Sequence, residues 1–563
     1  MVTEQNKSKR GSDIMVFLAS VAGIILLNIL AANYFFRLDL TEDKRYTIAP
    51  VTKQMLGSLE KEVVVDVYLE GDFPAGFKRL QQSVRETLDE FRIYADGNLR
   101  YNFIDPTEIT DEKQRNEFYT SLAQKGIIPT NLRATEDGKQ VERLVFPGAV
   151  IRYQGKETAV NLLKGNLAAS PDERLNQSVE GVEYELASAV RKVAFQGSKI
   201  IGYIAGQGEL EQQQVTDLLG SLQEYYRVAR GELSQIPSLE GLDLIIVAKP
   251  TKPFTEADKY KIDQFIMKGG KAVFFVDPMN ANMDSVGAGG MFAIPYNLNL
   301  DDLLFRYGVR LNPTLIMDLN SGFIPMVTGY MGDKPQTEMI NWRFYPLLNN
   351  FSEHPITRNL DAVYSRFVST MDTVKAEGIR KTPLVYTSSY SRVLDAPVPL
   401  TLEEARIEVN PEQYQAGRQA VGYLLEGQFT SLFRNRRAPE GVQNKEVQEQ
   451  GVETKIAVFA DGDLVRNDVN PRTGQAYELG FDRYNNVTFA NKELAVNTVH
   501  YLLDAEGLIN VRGKEIALRP LDKVRVREEK TYWQLVNLVA PIVLLGLFGV
   551  ARFYMRKRKY ERF

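Results

Sequence analysis

From Ile14 to Phe36 the chain runs without a single charged residue (IMVFLASVAGIILLNILAANYFF), and a helix of that length covers the roughly 30 Å of a bilayer's hydrocarbon core. A second uncharged run, Tyr532 to Ala551, opens on the pair Tyr532–Trp533, suited to a membrane interface, and contains Pro541, which a spanning helix tolerates as a bend. Two spans at 14–36 and 532–551 leave one architecture: an anchor at each end and a large polar region between them. Ala31 and Ala32 also permit a cleaved signal peptide, but the apolar run exceeds the roughly 7–15 residues of a signal h-region.

Lys7, Lys9 and Arg10 precede the first span, and Arg552, Arg556, Lys557, Arg558, Lys559 and Arg562 follow the second. The positive-inside rule then predicts cytoplasmic ends at 1–13 and 552–563, with residues 37–531 periplasmic and the chain in the inner membrane, in contact with lipid. The intervening region keeps 59 of the 68 basic and 69 of the 72 acidic residues, a net acidity that speaks against nucleic acid as a ligand. Asn28, Asn33 and Ser20 in the first span, and Asn537, Gly546 and Gly549 in the second, are of the types that let helices pack closely in lipid.

The polar region reads as two domains of α/β class. Within 37–174, a strand at Val63–Leu69 is followed by a helix with Phe77, Leu80, Val84, Leu88 and Phe91 on one face. A strand at Tyr101–Ile104, a helix from Asp111 to Lys125, and strands turning at Asp137–Gly138 and Gln154–Gly155 complete a β-α-β-α-β-β order, that of a thioredoxin-like domain. Residues 175–198 form a linking helix whose Val182, Leu186, Ala189, Val190 and Val193 make a buried stripe.

From 199 to 510 apolar strands at KIIGYIA, LDLIIVA (242–248) and KAVFFVD (271–277) alternate with helices, the pattern of a doubly wound parallel sheet buried on both faces. Later strands at 382–388, 421–427 and 455–461 and a closing helix from Asn491 to Leu503 suggest a flavodoxin-like or class I amidotransferase-like domain. Met279–Asn297 and Asn435–Lys455 are weakly patterned and predict mobile loops; 511–531 is a juxtamembrane connector.

Several chemistries are excluded. There is no cysteine, so neither thiol nor disulfide chemistry is available even to a thioredoxin-like domain. Only His354 and His500 occur, too few for a zinc hydrolase, and each is read as a structural histidine. Gly269-Gly270-Lys271-Ala272 lacks the hydroxyl of a phosphate-cradling loop and precedes a strand, so the chain carries no ATPase motif.

Ligands of open α/β sheets bind beyond the carboxyl ends of the strands. Those ends carry Gly206, Gln207, Gly208 and Glu209, then Lys249, then Asp277, then Asp461 and Asp463. The carboxylates are candidate ligands for Mg²⁺, Ca²⁺ or a hydroxylated molecule, or else caps of the elements that follow. The single GQG turn lacks the further glycine of a dinucleotide site, and no cofactor is implied.

RLDLTEDKRYTI after the first span, LNQSVEGVEYELASAVRKV, GQGEL, KPFTEADKYKIDQFIMKGGKAVFFVDP, HPITRNLDAV and LLEGQFTSLFRNR, in this order between two anchors, resemble the GldG-type gliding-motility auxiliary proteins of ABC transporters. The resemblance implies a non-catalytic subunit that works beside a multispanning permease and, through it, a separate cytoplasmic ATPase, in gliding bacteria of the Bacteroidota type. Two copies per complex follow from the usual symmetry of such transporters. The family often carries histidine where Gln207 stands, and the departure speaks against acid–base work at this turn. The alternative is a membrane-anchored hydrolase or transferase using the strand-end carboxylates.

Overall fold

The computed structural model describes residues 15–28, 47–71, 73–136, 139–164, 170–195, 199–287, 289–504, 507–513 and 523–560. Two units divide at Lys514 and Glu515.

In the larger unit, helix α1 (Met15–Asn28) is the described part of the expected first span; Ile14 and 29–36 lie outside the described residues. After α2 (Pro50–Gly57), strand β1 (Val63–Val67), helix α3 (Ala75–Tyr94), strand β2 (Leu99–Phe103), helix α4 (Glu112–Gln124) and the hairpin β3 (Thr130–Glu136) and β4 (Lys139–Val145) lead to β5 (Gly148–Tyr153) and β6 (Lys156–Asn161). The turn expected at Asp137–Gly138 lies outside the described residues. The sheet order is β2-β1-β5-β6, with β1 and β2 parallel and the other pairs antiparallel. The stripe of α3 anticipated from spacing is buried from Phe77 to Phe91.

Helix α5 (Pro171–Ala194) starts on a capping box, with Ser170 accepting from the Glu173 N–H and the Glu173 carboxylate accepting from the Ser170 N–H. Its buried Val182, Leu186, Ala189, Val190 and Val193 join one core with Val63, Val65, Leu80 and Phe91. The helix therefore supplies one wall of the first sheet's core as well as leading to the second sheet.

The second sheet is built by β7 (Ile200–Ala205), α6 (Thr216–Gln223), β8 (Arg227–Glu232), β9 (Leu244–Ala248), α7 (Glu256–Met267) and β10 (Lys271–Phe275). Next come β11 (Met279–Asn280), α8 (Met283–Gly287), β12 (Met291–Pro295), α9 (Asp301–Tyr307), β13 (Val309–Leu311) and β14 (Thr314–Asp318). A long hairpin of β15 (Ser321–Met331) and β16 (Lys334–Leu348) is followed by β17 (Asn350–Phe351), β18 (Val363–Tyr364) and β19 (Met371–Thr373). Then β20 (Ile379–Tyr386), β21 (Ser391–Asp395), β22 (Val398–Leu400), β23 (Ala420–Thr430) and β24 (Gln450–Phe459) precede α10 (Asn491–Leu503).

The eight-stranded sheet runs β17-β20-β23-β24-β10-β9-β7-β8. From β8 to β24 neighbours are parallel, whereas β23 and β20 each join antiparallel. The expectation of a parallel sheet thus holds for five strands. The next strand, β23, reverses because no crossover helix separates it from β24 among the described residues, and parallel neighbours need one; β20 and β17 then alternate in direction, so that β23 and β17 run against the five and β20 runs with them. Apolar residues of α6 and α10 pack on one face and those of α7 and α9 on the other.

Met279–Asn297, expected as a mobile loop, contains β11, α8 and β12 and belongs to a separate core around the fully buried Trp342. Short elements that gain their stability from distant partners leave little periodic signal in the sequence. Residues 435–449 are irregular, but Val442 is buried, and β24 begins at Gln450, earlier than the expected 455.

The smaller unit contains α11 (Lys523–Tyr560), in which Arg525–Arg558 is long and apolar enough to cross a membrane. It contains the whole expected span 532–551, and Pro541 lies inside it.

Candidate functional site

Strands β9, β10 and β24 end side by side, so the residue after each strand falls on one edge of the sheet. Lys249, just beyond β9, has the left-handed φ of +55°, uncommon for a residue with a side chain. Its ammonium reaches Asp277 Oδ2 beyond β10 at 2.8 Å and also pairs with Asp463 Oδ2 beyond β24. Gly462 permits this closure: a Cβ there would lie 2.6 Å from that of Lys249.

The remaining acceptors are also occupied. Asp277 Oδ1 accepts from the Gly462 N–H, and Asp461 accepts from the N–H groups of Asp463 (2.7 Å) and Arg366 (2.8 Å). Asp463 also meets Arg466 at 3.3 Å. The bond from the Asp463 N–H to Asp461 closes a local turn just ahead of the short helix Asp463–Val465, whose N-cap position is held by Gly462. Arg366 forms a two-pronged pair with Asp468, at 3.0 and 2.8 Å, and lies over the rings of Tyr345 and Tyr364.

Electrostatics separate the three aspartates. Burial, with Asp277 and Asp463 nearby, pushes the Asp461 carboxyl well above the carboxylate range. Burial also raises Asp277 against the pull of Lys249. Burial acts upward on Asp463 as well, but Lys249, Arg466 and Arg366 together hold it below its ordinary value. Lys249 is raised: burial works against its charge, and the two carboxylates outweigh it. The cluster is a buried ion network with an ammonium at its centre, and among the described residues no group of carboxylates and histidines is arranged to hold a metal.

Gly206, Gln207, Gly208 and Glu209 form a separate turn after β7. Gly206 and Gly208 have φ of +115° and +76°, and a Cβ on Gly208 would run into Thr251 Oγ1. Glu209 accepts from the Gln207 N–H at 2.8 Å, and the Gln207 carbonyl accepts from Thr251 and Lys252 N–H groups at 2.9 and 2.8 Å. The Gln207 amide donates to Asp258 Oδ2 at 3.3 Å, and Asp258 closes the capping box of α7 with Thr255. Burial raises the Glu209 carboxyl.

Of the eight strand-end residues singled out by sequence, the structure therefore gathers Lys249, Asp277, Asp461 and Asp463 at one place and the other four in the turn after β7, of which Gln207 bonds to Asp258 of α7. Sequence reasoning missed Arg366, Arg466, Asp468 and Asp258. Only Asp258 carries a local signal, the Thr-x-x-Asp of its capping box; the others come from irregular segments.

His354 and His500 are in structural positions. His354 Nδ1 accepts from the Ile356 N–H at 3.2 Å, and burial pushes its pKa down to about 4. His500 is buried between Tyr225 and Tyr226, and burial together with Arg191, Arg512 and Lys192 holds it well below its ordinary value.

Residues 198–498, more than half of the 563-residue chain, match the family described as an ABC-type uncharacterized transport system. Residues 42–152 match a domain of unknown function. An uncharacterized protein of Borreliella burgdorferi (strain ATCC 35210 / DSM 4680 / CIP 102532 / B31) is 22% identical over 547 residues, covering 93% of this chain and 94% of that protein. A solved structure titled "mmIFT52 N-terminal domain" aligns at 14% identity with a TM-score of 0.31, over 54% of this chain and 97% of that one. By the match over 198–498, the chain belongs to the auxiliary-protein family of ABC-type transport systems.

Proposed function

We propose that this chain is the membrane-anchored, non-catalytic accessory subunit of an ABC transporter, acting beside a multispanning permease and a separate cytoplasmic ATPase. The observation that carries the reading is the family match over the larger sheet domain. The apolar helices near the two ends of the chain support anchoring at both, with the termini cytoplasmic, residues 37–531 in the periplasm of an inner-membrane complex, and two copies per complex.

The order β2-β1-β5-β6 supports a thioredoxin-like assignment of the first domain, and the order 2-1-3-4-5 of the parallel strands, counted from β7, supports a flavodoxin-like or amidotransferase-like second domain. The link to gliding motility rests on the resemblance of the ordered sequence motifs. Cargo or envelope components are the ligands this reading gives the exterior domains. Against the hydrolase alternative stands the carboxylate cluster itself, whose oxygens are taken by Lys249, Arg466 and backbone N–H groups.

Calorimetry with ATP on the purified full chain tests the division of labour. No binding heat and no hydrolysis are expected, since Gly269–Gly270 turn directly into β10, which opens on Lys271 and Ala272 without a lysine–hydroxyl pair. Stoichiometric ATP binding by the chain alone contradicts the reading.

A further inference from the structure

The core of the first sheet contains α5 and also Leu508, Ile509 and Val511 of the short helix Leu508–Gly513, which follows α10 in the chain. Helix α10 itself, from Leu494 to Leu503, belongs to the core of the eight-stranded sheet. The chain therefore passes between the two cores twice, once after α5 and once after α10. Arg191 near the end of α5 pairs with Asp504 just beyond α10 at 3.2 Å, so the two crossings lie side by side. A joint of this kind, a few residues at the ends of elements, is where one body can swing on another. A cleft of about 490 Å³ opens beside it, and Tyr184, Ser188, Lys192, Tyr225 and Arg512 are among the residues that line it.

His500 stands inside this joint, one turn before Asp504, and is 2% exposed. Its ring makes T-shaped contacts with Tyr225 at 4.6 Å and Tyr226 at 5.7 Å, and neither Nδ1 nor Nε2 has a hydrogen-bond partner among the described residues. A neutral ring without such partners does nothing in an aromatic slot that phenylalanine could not do; what histidine adds is a charge at lower pH. The surrounding elements give that charge no welcome. Helix α5 brings Tyr184, Glu185, Arg191 and Lys192, the segment after α6 brings Glu224, Tyr225 and Tyr226, and Arg512 comes from the helix after α10. The carboxylates are already engaged: Glu185 with Lys164 at 2.7 Å, Glu224 with Lys192 at 2.5 Å, and Asp504 with Arg191 and with the Ile509 N–H at 2.7 Å. An imidazolium here would face three cations, Arg191, Lys192 and Arg512, in a site closed to water.

We propose that His500 is an acid-sensitive latch between the first domain and the eight-stranded sheet: the joint is closed while the ring is neutral, and uptake of a proton by the ring opens it. Hydrated in an open joint, the ring takes up its proton near the ordinary 6.5, whereas in the closed joint it does so only well below that. The contribution of the neutral ring to closure is therefore present above about pH 6.5 and is lost as the pH falls below it. Between pH 7 and pH 5 the balance moves toward the open joint by about 25-fold.

The test is hydrogen exchange followed by mass spectrometry on the full chain in nanodiscs at pH 7, 6 and 5, with rates corrected for the intrinsic pH dependence of exchange. In the native chain, exchange in the last two turns of α5 and of α10 is expected to rise by about 25-fold from pH 7 to pH 5, while β9 and β10, deep in the larger sheet, keep a higher level of protection. Two variants without a titrating ring, His500→Phe and His500→Gln, should each hold exchange in the two helix ends nearly constant over that range, and either one suffices should the other fail to fold. Unchanged exchange of the native helix ends between pH 7 and pH 5 would overturn the proposal, and so would an equal rise in the variants. Loss of protection that reaches the same level in β9 and β10 would also overturn it, since the whole chain would then be unfolding and not the joint.

Discussion

Lys249 is the residue on which the strand-end cluster turns. Its ammonium stands between Asp277 and Asp463, where a metal reading would put the cation. Lys249→Met leaves the buried Asp277 without a counter-charge and Asp463 with Arg466 alone, and a loss of about 3–5 kcal/mol is expected in urea unfolding of the native and variant chains. Because the site already contains its cation, millimolar Mg²⁺ or Ca²⁺ should leave the melting temperature of the native chain unchanged. A rise that Asp461→Asn removes would restore the metal-binding alternative. His500 gives a pH-dependent counterpart. Its folded pKa lies well below the ordinary 6.5, so the unfolded chain takes up the proton first as pH falls. The stability carried by neutral His500 is therefore present above about pH 6.5 and lost below it. His500→Phe removes that titration, and between pH 7 and pH 5 the melting temperature of the native chain should fall relative to that of the variant.

Among the elements, α5 and the turn after β7 show how much could be read in advance. The stripe Val182, Leu186, Ala189, Val190, Val193 was legible because helical spacing and burial coincide. That this stripe completes the first sheet's core was not legible, since pairing between distant elements leaves no local mark. Leu186→Ala should therefore cost about 2–5 kcal/mol and loosen the first domain, as seen by hydrogen exchange in β1 and β5. The GQGEL turn was visible through its glycines. Its anchoring to Asp258 was not, although the Thr255–Asp258 capping box could have flagged that residue. The strand-end aspartates were found because strand ends are predictable. Arg366, Asp468 and the core around Trp342 were not, because they arise from short elements and loops that only the tertiary fold brings together.

Across the whole molecule, uncharged stretches near both ends, a net acidic interior and a missing ATPase motif were all open to sequence reasoning, and the family match over 198–498 agrees with a transport role. Reporter fusions at Val2 and Phe563 should be cytoplasmic and one inserted near Gly287 periplasmic, and protease reaching residues 60–520 from the cytoplasmic side alone would contradict the proposed topology. The most direct measurement is affinity purification of the full chain from its own membranes in mild detergent, followed by identification of the bound proteins and an ATPase assay. The account predicts that a multispanning permease and an ATP-binding subunit elute with the chain and that hydrolysis belongs to the assembly. Elution of the chain without either partner, or ATP hydrolysis by the chain on its own, would contradict it.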